Sequence, residues 1–327
     1  MQRYAITMRS FERKRAIGLS IASTRFLRRV PLQNLSEATV KLDGGAMWGP
    51  QDAFGLRQRA VLLPYFTLPA SLRQALFFNE RPWSLPLQMA LSRAMAGART
   101  VAVEFRQGPL AGFRFECQTS EKFFLLGRHY ERENWELLLS LAHRGDIIYD
   151  VGANIGFWVL ALARLAGKEG HIVALEPAPQ NFERLQRNIF LNHSQPDLAP
   201  ITSLAVAAGE EAGVMPFLEH GTGSRVWRDG AARQHCIQVA MKTLDQLVYA
   251  ESHPAPALVL MDVEGYAGGV LRGASRLLAE KRPVVMAEVH HPEEREQVQE
   301  ALAKQGYRTS AIHSERLFPH HLLSRPA

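Results

Sequence analysis

Between residues 100 and 117 apolar and polar positions alternate, with Val101, Val103 and Phe105 before a break at 107–112 and Phe113, Phe115 and Cys117 after it. A period of two lines one face of a strand, so this stretch predicts a β-hairpin that opens the main domain. The period then changes. Over 131–142, Trp135, Leu138, Leu139 and Leu141 fall near helical spacing, and Gly145 follows as a stop signal. Next come an apolar run at 147–151, a helical pattern at 157–166 and a second apolar run at 171–175, which is the order of a βαβ unit. The pattern continues with a helix at 179–192, strands at 201–207 and 258–262, a helix at 269–281, a strand at 284–289 and a last helix at 293–305. Such alternation predicts an α/β fold with a doubly wound, mostly parallel sheet, whose ligands lie at the carboxyl ends of the strands.

The first 99 residues have a different texture. Pro64, Pro69, Pro82 and Pro86 cut 60–98 into short pieces, of which 84–96 has a helical pattern, and no architecture can be assigned. The chain therefore divides into an N-terminal extension, 1–99, and a domain over 100–327. Charge sharpens this division. The whole chain carries +6, but residues 1–115 hold 17 Lys and Arg against 6 Asp and Glu, a balance of +11, which leaves 6 − 11 = −5 for the rest. The basic part is compatible with contact to an anionic membrane surface, although a solvated arginine-rich face explains it more simply. It lacks the ordered aromatic and basic interleaving that stacks bases, which argues against nucleic acid as a partner. Residues 16–22 lack the apolar core and cleavage site of a secretion signal, and no apolar run approaches the roughly 20 residues of a membrane span. Cys117 and Cys236 stand far apart with no ligand-type neighbours. A cytoplasmic protein without a disulfide framework or structural zinc is expected.

The chemistry concentrates where predicted strands end. Asp150-Val151-Gly152-Ala153-Asn154-Ile155-Gly156 joins the first strand of the βαβ unit to its helix, where glycines allow close ligand approach and a helix N-terminus offers oriented N–H groups. A dinucleotide fingerprint requires glycine at the position of Asn154, so a nicotinamide-dependent oxidoreductase is disfavoured. The turn suits a smaller group, and Asp150 suits an ammonium or a nearby sulfonium. Glu176, twenty residues after Gly156, ends the second strand, where a carboxylate can accept both hydroxyls of a ribose.

Four motifs occur in order: 150–156; Val173-Ala174-Leu175-Glu176-Pro177-Ala178-Pro179 leading to Asn188 and Asn192; Thr243-Leu244-Asp245; and Asp262-Val263-Glu264-Gly265 with Val270-Leu271-Arg272-Gly273. Together they resemble the FkbM family of S-adenosylmethionine-dependent methyltransferases over about residues 122–289. The resemblance implies a class I, Rossmann-like methyltransferase fold with S-adenosylmethionine as cofactor. It also implies methylation of a hydroxyl oxygen on a sugar, glycan or small natural-product acceptor. By position it sets Asp150, Gly152, Asn154 and Gly156 around the methionine end and Glu176 on the ribose. Glu210 falls beside the adenine, where the family usually has Asp. A second departure is Ala267, where the family often has Glu. Gly268 and Gly269 follow it, which predicts a helix start that is more flexible by about 1 kcal/mol per glycine than alanine would make it.

Methyl transfer to an alcohol requires alignment of the acceptor oxygen and removal of its proton. Asp262 and Glu264, at the end of the fourth strand, are the first candidates, and His290 is the next, with Glu288 and His291 at the same sheet edge. Two such carboxylates can also hold a divalent ion, but no metal set is assigned from the sequence. His313, His320 and His321 are expected at the surface. A noncatalytic binding or assembly protein that keeps the fold is the alternative to an enzyme.

Overall fold

A computed structural model describes residues 40–42, 100–105, 110–118, 132–218, 225–226, 236–312 and 320–327. The expected helical segment at 84–96, the basic segment 1–39 and His313 lie outside these residues. In chain order the strands are β1 (Val40–Leu42), β2 (Thr100–Phe105), β3 (Arg114–Gln118), β4 (Ile147–Val151), β5 (His171–Leu175), β6 (Ile201–Leu204), β7 (Ala207–Ala208), β8 (Gly213–Leu218), β9 (Arg225–Val226), β10 (Cys236–Lys242), β11 (Leu258–Met261), β12 (Val284–Val289), β13 (Tyr307–Ile312) and β14 (His320–Pro326). The helices are α1 (Arg132–Leu141), α2 (Phe157–Ala166), α3 (Pro179–Leu191), α4 (Leu244–Tyr249), α5 (Ala267–Arg272), α6 (Ser275–Glu280) and α7 (Pro292–Lys304).

Seven strands form the central sheet in the order β13-β14-β12-β11-β4-β5-β6. All pairs from β12 to β6 are parallel, and β14 runs antiparallel between β12 and β13. This is the doubly wound, mostly parallel α/β sheet that the alternating pattern predicts. Its strands are apolar on both faces because both faces are covered. Tyr149, Val151, Val173, Leu175, Val259 and Met261 enter one core, with the helices that follow β10 and β11. Their neighbours Ile148, Ile172, Ala174, Leu258 and Leu260 enter the other, with residues of α1 and α2. The strand period of two divides the residues cleanly between the layers.

A second sheet, β7-β10-β8-β9, adds Ala207, Ala208, Phe217, Val239 and Met241 to the first core. The run at 201–207 is consequently split, with β6 in the central sheet and β7 in this smaller one. The predicted helix at 269–281 is also split, into α5 and α6. At the break, a Cβ on Gly273 would lie 1.9 Å from the carbonyl oxygen of Gly209, so the chain must turn here with glycine against that backbone. The Asp245 carboxylate then caps α6 by accepting from the N–H groups of Arg276 and Leu277, at 2.9 and 2.7 Å. Thr243 caps α4, accepting from the Gln246 N–H at 2.9 Å. The Thr243-Leu244-Asp245 motif thus serves the fold.

The hairpin β2–β3 forms as expected, and β1 joins it in parallel register with β2. Two buried asparagines, Asn188 in α3 and Asn192 at its C-terminal cap, hold it. Asn192 accepts from the Arg114 N–H at 2.8 Å and donates to the Arg114 carbonyl at 2.6 Å. Asn188 accepts from the Glu116 N–H at 2.6 Å and donates to the Ile155 carbonyl at 2.8 Å. Each side-chain amide offers a donor and an acceptor in one plane, as a neighbouring strand would. Asn188→Ala removes partners from buried main-chain groups in the hairpin and in the glycine turn, so it is expected to cost roughly 2 to 4 kcal/mol. Urea unfolding checks this, and a midpoint equal to that of the parent chain would contradict it.

Candidate active site

The ends of β4, β5 and β11 meet at one cleft, and the turns that follow them supply its walls. The cleft encloses about 560 Å³ of space open to solvent, and its lining includes Gly152, Asn154, Glu176, Ala208, Asp262 and Glu264.

The glycine turn is shaped by what it touches. Gly152 has φ 91°, and a Cβ there would lie 1.9 Å from the carbonyl oxygen of Asp262. Only glycine lets the end of β4 approach the end of β11 this closely. Asn154 is also left-handed, with φ 49°, and its N–H donates to Oε2 of Glu176 at 2.8 Å. Gly156, at φ 92°, begins α2 and lies against Leu185, whose Cδ1 would be 2.7 Å from an added Cβ.

Asp150 and Glu176 are both buried, at 3% and 4% exposure. Glu176 accepts a second hydrogen bond from the Ala178 N–H, at 2.8 Å. Burial pushes its pKa up to about 7 despite these N–H groups and the Asn181 side chain, which favour the ionised form. Burial, and then repulsion from Glu176, push Asp150 up to about 7 as well. Oδ2 of Asp150 has no hydrogen-bond partner among the described residues. Two buried carboxyls in this state suit a ligand that brings positive charge and hydroxyl donors, and they fit the amino-acid and ribose portions of S-adenosylmethionine.

Asp262 and Glu264 of the lining belong to an acidic cluster around one imidazole, that of His290, which is itself outside the cleft lining. Nε2 of His290 lies 3.5 Å from Asp262, 3.3 Å from Glu264 and 3.7 Å from Glu288, and Nδ1 lies 3.6 Å from Glu294. Burial alone would lower the His290 pKa, but the Glu294 carboxylate and the charges of Asp262, Glu264 and Glu288 raise it to about 9. The ring therefore carries a proton at neutral pH. Glu264 has φ 48° and Gly265 φ 95°, two successive left-handed residues that turn the chain sharply after Asp262. Asp262, Glu288 and His290 each offer a ligand atom within 4.8 Å of the others, a donor set of the kind that holds a divalent cation.

Several expected residues fall elsewhere or differ. Glu210 is outside the cleft lining, and its carboxylate accepts from Nε of Arg272 at 2.8 Å. His321 was expected at the surface but is largely enclosed, with Nε2 3.2 Å from Glu288, because 320–326 is a strand of the central sheet. The start of α5 is tightly packed: a Cβ on Gly268 would meet Gln297 at 2.7 Å, and one on Gly269 would meet the Tyr266 ring at 2.6 Å. These glycines create contact, which corrects the expected flexibility. The N–H of Ala267 is taken by Glu294 at 3.0 Å, across from α7. Glu294 did not emerge from the sequence, although its place three residues after the His291 cap, in His291-Pro292-Glu293-Glu294, has the spacing of a capping box. Asn181, in the first turn of α3, also lines the cleft without having been singled out.

A parallel sheet with one antiparallel strand beside its edge, and a glycine turn and acidic strand ends around one cleft, define a class I methyltransferase fold. The model of the methyltransferase FkbM domain matches residues 150–313. The chain belongs to the FkbM family of S-adenosylmethionine-dependent methyltransferases. It is 29% identical over 187 residues to the hexuronic acid methyltransferase AglP of Haloferax volcanii, a match covering 54% of this chain and 70% of that protein. Among solved structures it is similar to the methyltransferase FkbM of Methylobacillus flagellatus, with 16% identity and TM-score 0.43, over 63% of this chain and 54% of that one. The chain thus spans about half the length of that protein. It is also similar to an S-adenosylmethionine-dependent O-methyltransferase of Thermotoga maritima, with 13% identity and TM-score 0.40, over 60% of this chain and 65% of that one.

Proposed function

We propose that the chain methylates a hydroxyl oxygen of a sugar or glycan acceptor, with S-adenosylmethionine as donor. The observation that carries this is one cleft lined by Glu176 and the glycine turn together with Asp262 and Glu264, with the carboxyl of Asp150 buried outside that lining. The similarity to a hexuronic acid methyltransferase supports the acceptor class.

In this reading Glu176 accepts the ribose hydroxyls, Asp150 faces the ammonium, and the close backbone at Gly152 and Asn154 seats the amino-acid end. The bound cofactor supplies an electrophilic methyl carbon on a sulfonium. Asp262 or Glu264 accepts the acceptor's hydroxyl proton and orients its oxygen, and His290 holds the two carboxylates in place between them. Peripheral membrane contact through the basic N-terminal part remains a proposal of the same kind.

Calorimetry tests the donor side. S-adenosylmethionine and S-adenosylhomocysteine are expected to bind and NAD is not, and NAD binding without response to the other two would refute the reading. The affinity should also depend on pH. Burial raises the folded pKa values of Asp150 and Glu176 to about 7, above the usual carboxylate range, so the folded domain holds protons that the unfolded chain releases. Their contribution to stability therefore falls as pH rises from the unfolded values toward 7, while affinity for a cationic ligand rises over the same window. Binding is expected to tighten roughly tenfold between about pH 5.5 and about pH 8. Release of S-adenosylhomocysteine on addition of hexuronic acid or neutral glycan acceptors tests the transfer. Binding of the donor without turnover on any of them would favour a noncatalytic protein.

A further inference from the structure

Three buried asparagines lie along α3 and its C-terminal cap, and two of them are already engaged. Asn188 and Asn192 give their amides to main-chain atoms of the hairpin. Asn181, about two turns before Asn188, makes no such bond. It is 8% exposed and lines the cleft, and its NH2 group points at the Glu176 carboxylate. Its carbonyl oxygen has no hydrogen-bond partner among the described residues. Buried polar groups are almost always paired, so an amide oxygen left open to a cleft marks a place for a hydrogen-bond donor of a ligand.

The acceptor positions at Glu176 indicate which ligand group this is. A carboxylate offers about four. The N–H groups of Asn154 and Ala178, at 2.8 Å each, and the Asn181 amide take three of them. A ribose diol brings two hydroxyls, one more than the carboxylate has positions left. We propose that Asn181 is a cofactor-binding residue, whose carbonyl oxygen accepts one ribose hydroxyl of S-adenosylmethionine while its NH2 group stays on Glu176 and Glu176 accepts the other hydroxyl. The proposal rests on the seat of the ribose at Glu176 and divides that seat between two residues. A planar carboxamide presents its acceptor beside its donor, so a hydroxyl bonded to it lies next to one bonded to Glu176, as vicinal hydroxyls do. An amide kept for a ligand adds little to folding, because its oxygen has no protein partner to lose. Asn188 is the contrast, since its loss orphans main-chain groups on both sides.

The test is calorimetry of S-adenosylhomocysteine and of its 2′-deoxy and 3′-deoxy analogues on the full chain, in the parent, Asn181→Leu, Asn181→Ala and Glu176→Gln. In the parent each analogue should bind about tenfold more weakly than S-adenosylhomocysteine. Both Asn181 variants should lose about tenfold with S-adenosylhomocysteine itself. For one of the two analogues the further loss should then shrink to within about twofold, because that hydroxyl has already lost its acceptor. Glu176→Gln should be coupled in the same way to the other analogue. If neither analogue is coupled to the Asn181 variants, the proposal is overturned, and coupling at Glu176→Gln in that case leaves the ribose at Glu176 alone. Coupling at Asn181 without coupling at Glu176 would support the Asn181 contact and refute the carboxylate's. Thermal unfolding without ligand separates a folding role, since the midpoint of Asn181→Ala should stay within about 2 °C of the parent. A fall as large as that of Asn188→Ala, with affinity for S-adenosylhomocysteine within about twofold of the parent, would assign the amide to the fold and overturn the proposal.

Discussion

Gly152→Ala is expected to abolish detectable S-adenosylmethionine binding and to destabilise the domain. A methyl group at this position would sit 1.9 Å from the Asp262 carbonyl oxygen and 2.9 Å from its carbon, and the φ of 91° is one that alanine rarely adopts. The obstacle is main chain, so no side-chain rotation relieves it. Either β4 separates from β11, which moves the glycine turn away from Asp262, or the turn refolds and withdraws the Asn154 N–H from Glu176. Strain and overpacking together come to roughly 2 to 6 kcal/mol. Gly213→Ala provides the contrast, because nothing lies within 4 Å of its added methyl. Thermal unfolding and donor calorimetry on both variants check the expectation. Donor affinity in Gly152→Ala within about threefold of the parent would show that the turn does not seat the ligand.

The second large effect is on turnover. Asp262→Asn and Glu264→Gln keep the shape of each side chain and remove its charge, and the variant lacking the base should lose about a hundredfold or more in kcat. Donor affinity should change far less, since positioning and deprotonating a hydroxyl act mainly in the transition state. The pH profile separates these carboxylates from His290. With its pKa raised to about 9, the imidazole cannot accept a proton at neutral pH, so turnover that depended on it as base would climb toward that value. Turnover that depends on a carboxylate should not climb in this way. A change of less than about threefold in both variants, together with a rate rising to pH 9, would transfer proton removal to His290.

Much of this arrangement is legible in the sequence because the central strands are buried on both faces. The runs at 147–151, 171–175 and 284–289 are mostly apolar, broken only by Asp150, His171 and Glu288, and they form strands with those limits. The helices over 157–166 and 179–191 are equally plain. What escaped were elements whose pairing lies far along the chain. β8 and β10 are mostly half-exposed and pair across an interval of about twenty residues, so neither shows a continuous apolar run. β13 and β14 follow the last helix that the pattern predicts and were assigned no element, and His321 was expected at the surface, until the sheet places β14 beside β12. The split of 269–281 depends on Gly273 lying against Gly209, sixty-four residues earlier, which no local pattern records. At the carboxyl edge of the sheet, the strand-end positions of Asp150, Glu176, Asp262 and Glu264 were readable from the alternation. Glu294 was not, because its significance lies in main-chain groups of two other loops.

The anchoring of β3 by Asn188 and Asn192 has a consequence for how the domain can diversify. The two amides bind main-chain atoms of Arg114 and Glu116, which every residue except proline provides in full, so side chains along that strand are under little constraint from the anchor itself. Selection can rewrite the hairpin's outward surface while its docking geometry is inherited unchanged. Exchanging the outward residues of β3 for those of a relative that keeps both asparagines, with the buried Phe113 and Phe115 retained, should therefore be tolerated, and the hairpin becomes a natural place to graft new recognition surfaces onto an unaltered frame.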